Sequence, residues 1–265
     1  MIDSFKQVSW ANTASIYEVN IRQYTAEGTF KAFEKHLPRI KEMGIDIIWL
    51  MPITPISQVN KKGSLGSYYA CSSYTKINPE FGTAADFKDL VDSVQALGMK
   101  LIIDWVANHT GSQHEWMQEN PSWFAQDAAG NFTERNGWDD VVDLNFDNAL
   151  MRIALIDAME YWVRHFNIDG FRCDMAHLVP LDFWIAARTK LQDSKTLYWL
   201  AECEDIAYHQ VFDTSYAWSW MHASQKLGKG EDGLHEVYTI LHQYAAYPKS
   251  AFKLFFTSNH DENSW

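Results

Sequence analysis

Short apolar runs alternate with amphipathic stretches along the whole sequence of 265 residues. This alternation is typical of a parallel β-sheet whose strands are connected by helices. Seven runs are predicted as strands, at residues 16–19, 47–51, 100–106, 170–174, 197–202, 211–214 and 254–258. The pattern predicts an α/β fold, a TIM-type (β/α)8 barrel that is incomplete because seven of its eight strands are visible.

Local signals place two helices between the early strands. Residues 30–43 carry apolar side chains at helical spacing, and Pro38 is expected to kink that helix. Thr83 is expected to cap the next helix, which should end before Gly98 because glycine commonly follows a helix C-terminus.

The segment between the third and fourth predicted strands is too long for a simple loop. Residues 107–148 are rich in Trp and Asn, and we predict that they form a short inserted subdomain, subdomain B. Residues 1–106 and 149–265 then form the catalytic barrel domain. The chain therefore has two parts, with subdomain B inserted after strand 3.

Composition excludes several classes of partner. The net charge is −12, which disfavours nucleic acid, and no apolar stretch approaches the length of a membrane span. Three cysteines cannot build a disulfide framework. As written the chain has no signal peptide, so we expect a cytoplasmic protein, or a periplasmic or secreted one if a signal has been removed. Aromatic residues make up 15% of the chain, and this favours a carbohydrate partner.

Polar side chains, most of them ionisable, stand at the ends of the predicted strands, where barrel enzymes keep their chemistry. These residues are Asp104, Asn108, His109, Arg172, Asp174, Glu202, His260 and Asp261. A lone carboxylate at a strand end is usually a helix cap or a surface charge, but agreement among several strands favours a site. Cleavage of a glycosidic bond needs one carboxylate nucleophile and one carboxylic acid. Arg172 should point the same way as Asp174 and keep it ionised.

The motifs around these residues resemble the α-amylase family, glycoside hydrolase family 13. The similar segments are 104–109 (DWVANH), 143–145 (DLN), 170–174 (GFRCD), 201–203 (AEC) and 257–261 (TSNHD). The resemblance implies a retaining double displacement on α-linked glucans. In that reaction Asp174 would be the nucleophile, Glu202 the general acid and then base, and Asp261 would bind sugar hydroxyls and favour the distorted transition state.

The resemblance also implies a set of substrate-binding residues. These are Tyr69, Asp104, His109, Arg172, His177 and His260. Tyr69 matches the family's stacking tyrosine, although Tyr68 beside it is an alternative. His177 stands where many members carry a lysine that contacts the sugar beyond the cleavage point, so the preference for the leaving group stays open.

Two further expectations come from the same family. Asn108 and Asp143 fall where many members bind a structural calcium ion, and hard oxygen ligands suit that ion. Two ligands do not make a site and some relatives lack the metal, so calcium stays open. Members also continue past Asp261 into an eighth barrel unit and usually a C-terminal β-sandwich domain, which we expect in the full-length protein.

We therefore expect an enzyme that cleaves internal α-1,4-glucosidic bonds of starch and maltooligosaccharides. Alternatives within the family are a transglycosylase, a cyclodextrin or pullulan hydrolase, and a trehalose-forming enzyme, all with the same covalent intermediate. An alternative of another class is an inactive, truncated fragment that only binds glucans. The three carboxylates together argue against a pure binder, because binding needs neither an acid nor a nucleophile.

Overall fold

The computed structural model describes residues 5–231 and 233–263, and its central element is one parallel sheet of seven strands. The strands along the chain are β1 (Ile16–Val19), β2 (Ile47–Leu50), β3 (Lys100–Trp105), β4 (His109–Gly111), β5 (Val141–Asp143), β6 (Gly170–Cys173), β7 (Tyr198–Ala201), β8 (Thr214–Tyr216) and β9 (Phe252–Leu254). All except β4 and β5 belong to the sheet, in the order β1-β2-β3-β6-β7-β8-β9. Every neighbouring pair in it is parallel, which confirms the predicted incomplete (β/α)8 barrel.

Helices connect these strands and cover the outside of the sheet. They are α1 (Ile21–Tyr24), α2 (Phe30–Glu34), α3 (Leu37–Glu42), α4 (Ala84–Ala96), α5 (Trp116–Glu119), α6 (Ala149–Phe166), α7 (Leu181–Leu191), α8 (Trp218–Gly228) and α9 (Leu234–Ala245). Thr83 caps α4 with a reciprocal capping box that includes Asp86, as the sequence predicted for the cap. None of the described helices is both long and apolar enough to cross a bilayer.

Three predicted elements differ from the structure by more than one residue at an end. Residues 30–43 form two helices rather than one kinked helix, and Pro38 lies in the first turn of α3, where a missing N–H costs little. The sixth sheet strand begins at Thr214, because Val211 donates its N–H to Tyr208 in a tight turn. The seventh is Phe252–Leu254, two residues earlier than its predicted start.

The inside of the sheet is lined by one residue of every two along each strand. The pairing registers bring Trp49 and Ile102 to one level and Arg172 and Leu200 to another. Gly170 belongs to the inward set, and a Cβ there would lie 2.1 Å from the carbonyl oxygen of Tyr198. Only glycine therefore allows β6 and β7 to approach this closely.

The segment after β3 has its own small sheet. His109 pairs with Asp143 and Gly111 with Val141 in the antiparallel pair β4–β5. Tyr74, from the loop after β2, donates its hydroxyl to the Val106 carbonyl at 2.9 Å. The boundaries 107–148 for subdomain B stay a prediction, and β4 and β5 lie within them.

Candidate active site

Arg172 lies at the centre of a group of buried carboxylates inside the barrel. Its Nη1 donates to Asp104 Oδ1 at 3.0 Å and to Asp174 Oδ1 at 2.9 Å. Its Nη2 lies 2.9 Å from Glu202 Oε1, an ionic contact rather than an aligned hydrogen bond. One guanidinium thus brings together predicted residues from the ends of β3, β6 and β7.

Backbone pairing explains why these carboxylates converge. The Asp174 N–H donates to the Trp105 carbonyl at 3.0 Å, and the Glu202 N–H donates to the Cys173 carbonyl at 3.0 Å, so both residues extend the strand ladder. The chain then turns sharply, because Met175 adopts a left-handed φ of 41°. In this conformation the Met175 N–H donates to Glu202 Oε2 at 2.7 Å.

Two aromatic side chains that sequence reasoning missed pack against Arg172. The guanidinium carbon lies 4.9 Å from the Trp49 ring centroid and 5.5 Å from that of Tyr216. Trp49 Nε1 and the Tyr69 hydroxyl each donate to Asp104 Oδ2 at 3.2 Å. The available signal was strand alternation, since Trp49 and Tyr216 occupy inward positions. Trp49 and Tyr216 fix the orientation of Arg172 from outside the cavity lining, whereas Tyr69 also lines the cavity.

The carboxylates share too little positive charge for all of them to ionise easily. Burial raises the pKa of Asp104 to about 7 and also raises the pKa values of Asp174 and Glu202, while the Arg172 guanidinium opposes each rise. Repulsion by the Asp174 carboxylate adds to the rise for the other two. Burial and mutual repulsion therefore favour a protonated carboxyl in this group, and a general acid needs such a proton.

His260 is held between two carboxylates. Its Nδ1 lies 2.6 Å from Glu18 Oε1, and its Nε2 lies 3.1 Å from Asp261 Oδ2 and 2.9 Å from the Tyr69 hydroxyl. Burial opposes the positive charge, but the hydrogen bonds to Asp261 and Glu18 outweigh it and raise the pKa of His260 to about 10. The same bond lowers the pKa of Asp261. Sequence reasoning missed Glu18, which lies 242 positions from its partner.

A cavity of about 280 Å³ opens above this group. Its lining contains six predicted site residues, namely Tyr69, His109, Asp174, Glu202, His260 and Asp261. Asp104 and Arg172 lie buried beneath it, so they contact the carboxylates rather than a ligand. His177 is exposed in the turn Ala176–Leu178 and does not line this cavity, so its sugar contact stays a prediction.

His109 is buried and neutral. Burial lowers its pKa to about 4, and its ring packs edge-on against Trp138, with 5.2 Å between the ring centroids. Its Nδ1 lies 3.1 Å from the Asn108 amide nitrogen. Trp138 also lines the cavity and adds an aromatic face from the segment after β3.

The two predicted calcium ligands face a guanidinium. Arg135 Nη2 donates to Asn108 Oδ1 at 2.8 Å, and Arg135 Nε lies 3.3 Å from Asp143 Oδ2. Within residues 5–231 and 233–263 no three His, Cys, Asp or Glu side chains are grouped to hold a metal ion. In this arrangement Asn108 and Asp143 do not fit calcium, because a cationic side chain already takes the oxygens that would face the ion.

An incomplete parallel barrel with an acidic cavity at the carboxyl ends of its strands is the architecture of a barrel glycosidase domain. A family model described as alpha amylase, catalytic domain, matches the chain in two overlapping segments, residues 2–138 and 118–217. The chain belongs to the alpha-amylase family.

Similar proteins agree with this assignment. An alpha-amylase, MalA, from Haloarcula japonica is 27% identical over 97% of this chain and 40% of its own length. The crystal structure of an alpha-amylase from Lactobacillus plantarum is 39% identical with a TM-score of 0.90, over 94% of this chain and 63% of that one. An alpha-1,4-glucan:maltose-1-phosphate maltosyltransferase from Mycobacterium tuberculosis is 31% identical over 64% of this chain and 27% of its own length. The chain thus spans less than two thirds of each.

Proposed function

We propose that the cavity above Arg172 hydrolyses internal α-1,4-glucosidic bonds of starch-like glucans with retention of configuration. The observation that carries this proposal is that one guanidinium contacts both Asp174 and Glu202, which line the same cavity. Two carboxyl groups acting on one glycosidic bond are the minimal machinery for its cleavage. Membership of the alpha-amylase family favours α-linked glucan as the substrate.

Asp174 is the nucleophile in this proposal. It attacks the anomeric carbon while the glycosidic bond breaks, which gives a covalent glucosyl-enzyme ester. The hydrogen bond from Arg172 Nη1 favours the ionised form of Asp174 over its protonated form, although burial acts in the opposite direction. The attacking oxygen is the one that Arg172 leaves free.

Glu202 is the acid and then the base. It gives its proton to the leaving glycosidic oxygen, and in the second step it takes a proton from the water that attacks the ester. Burial and the charge of Asp174 raise the pKa of Glu202, which favours its protonated form and so its role as the acid. Once Asp174 is esterified its charge is gone, and Glu202 ionises more easily to serve as a base.

The rest of the lining orients the sugar. Tyr69 and His260 stack on each other, with 5.4 Å between ring centroids, and form one aromatic wall. Asp261 remains ionised beside the imidazolium of His260 and accepts hydrogen bonds from sugar hydroxyls. His109 contributes a neutral N–H on the side of subdomain B.

The test is a reducing-sugar and chromatography assay on soluble starch and maltoheptaose with the wild type, Glu202→Gln and Glu204→Gln. Glu204 is a matched control, because it lies outside the cavity lining and contacts Ser219 and Tyr244. We expect internal cleavage by the wild type and Glu204→Gln, and a loss of roughly 1000-fold or more in Glu202→Gln. Cleavage retained in Glu202→Gln would refute the role of Glu202.

A second candidate is glycosyl transfer through the same intermediate. The similarity to a maltosyltransferase favours it, because transfer differs from hydrolysis only in the acceptor that opens the ester. Products longer than the maltoheptaose substrate would identify transfer. Glucan binding with no cleavage by either the wild type or the control would instead support the alternative of a binding fragment.

A further inference from the structure

We infer that the Arg135 guanidinium is a built-in structural cation that positions His109 and makes the site independent of calcium. Arg135 lies between β4 and β5, outside the cavity lining, and none of the family's motifs quoted above contains it. Only the expected change in kcat and KM rests on the proposed function. The expected effects on stability and on the response to metal ions do not depend on it.

The guanidinium connects three separate segments. Its Nη2 donates to Asn108 Oδ1, which follows β3, at 2.8 Å, and to the Leu178 carbonyl, which follows β6, at 3.1 Å. Its Nε lies 3.3 Å from Asp143 Oδ2 in β5. One side chain from the inserted segment therefore ties that segment to the ends of two central barrel strands.

The charge of Arg135 is needed because Asp143 is buried. The Asp143 side chain is 4% exposed, and a buried carboxylate is costly unless a cation and hydrogen bonds compensate it. Burial raises the pKa of Asp143, and Arg135 is the largest opposing influence. His109 also lies nearby, but its Nδ1 faces the Asn108 amide nitrogen, which only donates, so the ring is neutral. Arg135 thus supplies the positive charge at this point.

Arg135 also determines which way the Asn108 amide points. Because its Oδ1 accepts from Arg135, the amide nitrogen faces His109 Nδ1 at 3.1 Å and Asp143 Oδ1 at 3.3 Å. An amide nitrogen only donates, so His109 Nδ1 must accept and the ring proton must reside on Nε2. The guanidinium therefore selects the tautomer in which His109 offers an N–H to a sugar hydroxyl.

The same geometry explains independence from calcium. Calcium needs six to eight oxygen ligands, whereas the amide, carboxylate and carbonyl oxygens here point to the nitrogens of a planar cation. A guanidinium carries its own hydrogen-bond donors and does not dissociate on chelation. We therefore expect EDTA and calcium each to leave the melting temperature of the wild type unchanged within about 1 °C.

Three variants test the inference. Arg135→Met keeps an unbranched side chain that reaches as far as Nε but removes the guanidinium and its charge. Arg135→Lys restores the charge without the planar fork, and Arg164→Met is the control. Arg164 is an exposed helical residue that pairs with Glu160 one turn away. The measurements are the melting temperature with EDTA and with calcium, NMR of the His109 ring nitrogens, and kcat and KM on maltoheptaose.

We expect Arg135→Met to lower the melting temperature by about 5 °C, and Arg164→Met to leave it unchanged. In Arg135→Met the His109 nitrogens should report a mixture of tautomers. The kcat/KM should fall about tenfold, mainly through KM, because a hydrogen bond to the bound sugar weakens in the ground state and the transition state alike. Arg135→Lys should recover part of each loss.

Several results would overturn the inference. One is a wild-type melting temperature that falls on chelation and recovers with calcium; this needs no variant, so it applies even if Arg135→Met does not fold. Another is an Arg135→Met protein with unchanged stability and an unchanged His109 tautomer. If the stability and NMR results appear as expected while no variant cleaves maltoheptaose, the role of Arg135 stands and the proposed function fails.

Discussion

The part of the barrel from β1 to β7 and the part from β8 to β9 differ in how fully their helices are buried. In the first part α6 buries seven side chains and α7 buries five. In the second part α9 has twelve residues but buries only Ile240. The first part therefore supplies most of the packing that stabilises the fold.

The two parts also share the site unequally. Asp174 and Glu202, the proposed nucleophile and acid, follow strands of the well-packed part, and the family match ends at residue 217. His260 and Asp261 follow β9, in the loosely packed part, and Glu18 connects His260 to β1. The comparison teaches that the groups proposed for bond cleavage lie on the part with the most buried helices, whereas two of those proposed for sugar orientation lie on the part with fewer buried side chains.

The largest expected effect is loss of packing in the first part. Trp162 in α6 is fully buried, and its Nε1 donates to the Tyr74 carbonyl at 2.8 Å. Trp162→Ala should lower the free energy of unfolding by about 3–5 kcal/mol, measured by urea denaturation. Tyr238→Ala in α9, where the side chain is 61% exposed, should change it by less than about 0.5 kcal/mol. Equal losses of unfolding free energy in the two variants would contradict the difference in packing between the two parts.

A smaller effect is expected when the loosely packed part, from β8 to β9, loses the Asp261 carboxylate. Asp261→Asn removes the anion beside His260, while the side chain is 60% exposed and contributes little to packing. The kcat/KM on maltoheptaose should fall about 100-fold, and the melting temperature should change by less than about 2 °C. A large loss of stability without a loss of activity would contradict the division of roles between the two parts of the barrel.

The smallest effect concerns the pH dependence of His260. Because the folded-state pKa is about 10 and the ordinary value is 6.5, the stabilisation from its two carboxylates is complete below pH 6.5 and is lost as the pH rises through 10. Glu18→Gln removes one anion and should lower the pKa of His260 by about one unit. The alkaline limb of kcat/KM should then move to lower pH, and NMR titration of the ring should follow it. An unchanged titration would mean that Glu18 does not control this histidine.

The sequence predicted the well-packed part, β1 to β7, better than the loosely packed part, β8 to β9, for a physical reason. The strands β2, β3, β6 and β7 are almost entirely buried and read as mainly apolar runs, and the motif residues at their ends could be placed from the strands. The strands β8 and β9 are three residues long, and β9 is only half-buried, so apolar residues beside them shifted the predicted boundaries.

The contacts that sequence reasoning missed join residues far apart in the chain. Glu18 meets His260 across the gap between β1 and β9, and Arg135 meets Leu178 across 43 positions. No periodicity reports such a contact, because periodicity describes one element at a time. The barrel geometry was needed to bring these charged side chains together.

The most direct test of the central claim is to trap the covalent ester. Glu202→Gln would be incubated with α-maltosyl fluoride, whose leaving group needs no acid, and then digested and analysed by mass spectrometry. Because the variant lacks the base for the second step, we expect a maltosyl adduct on the peptide that contains Asp174. An adduct on another carboxylate, or turnover of the fluoride with inversion of configuration, would contradict the account.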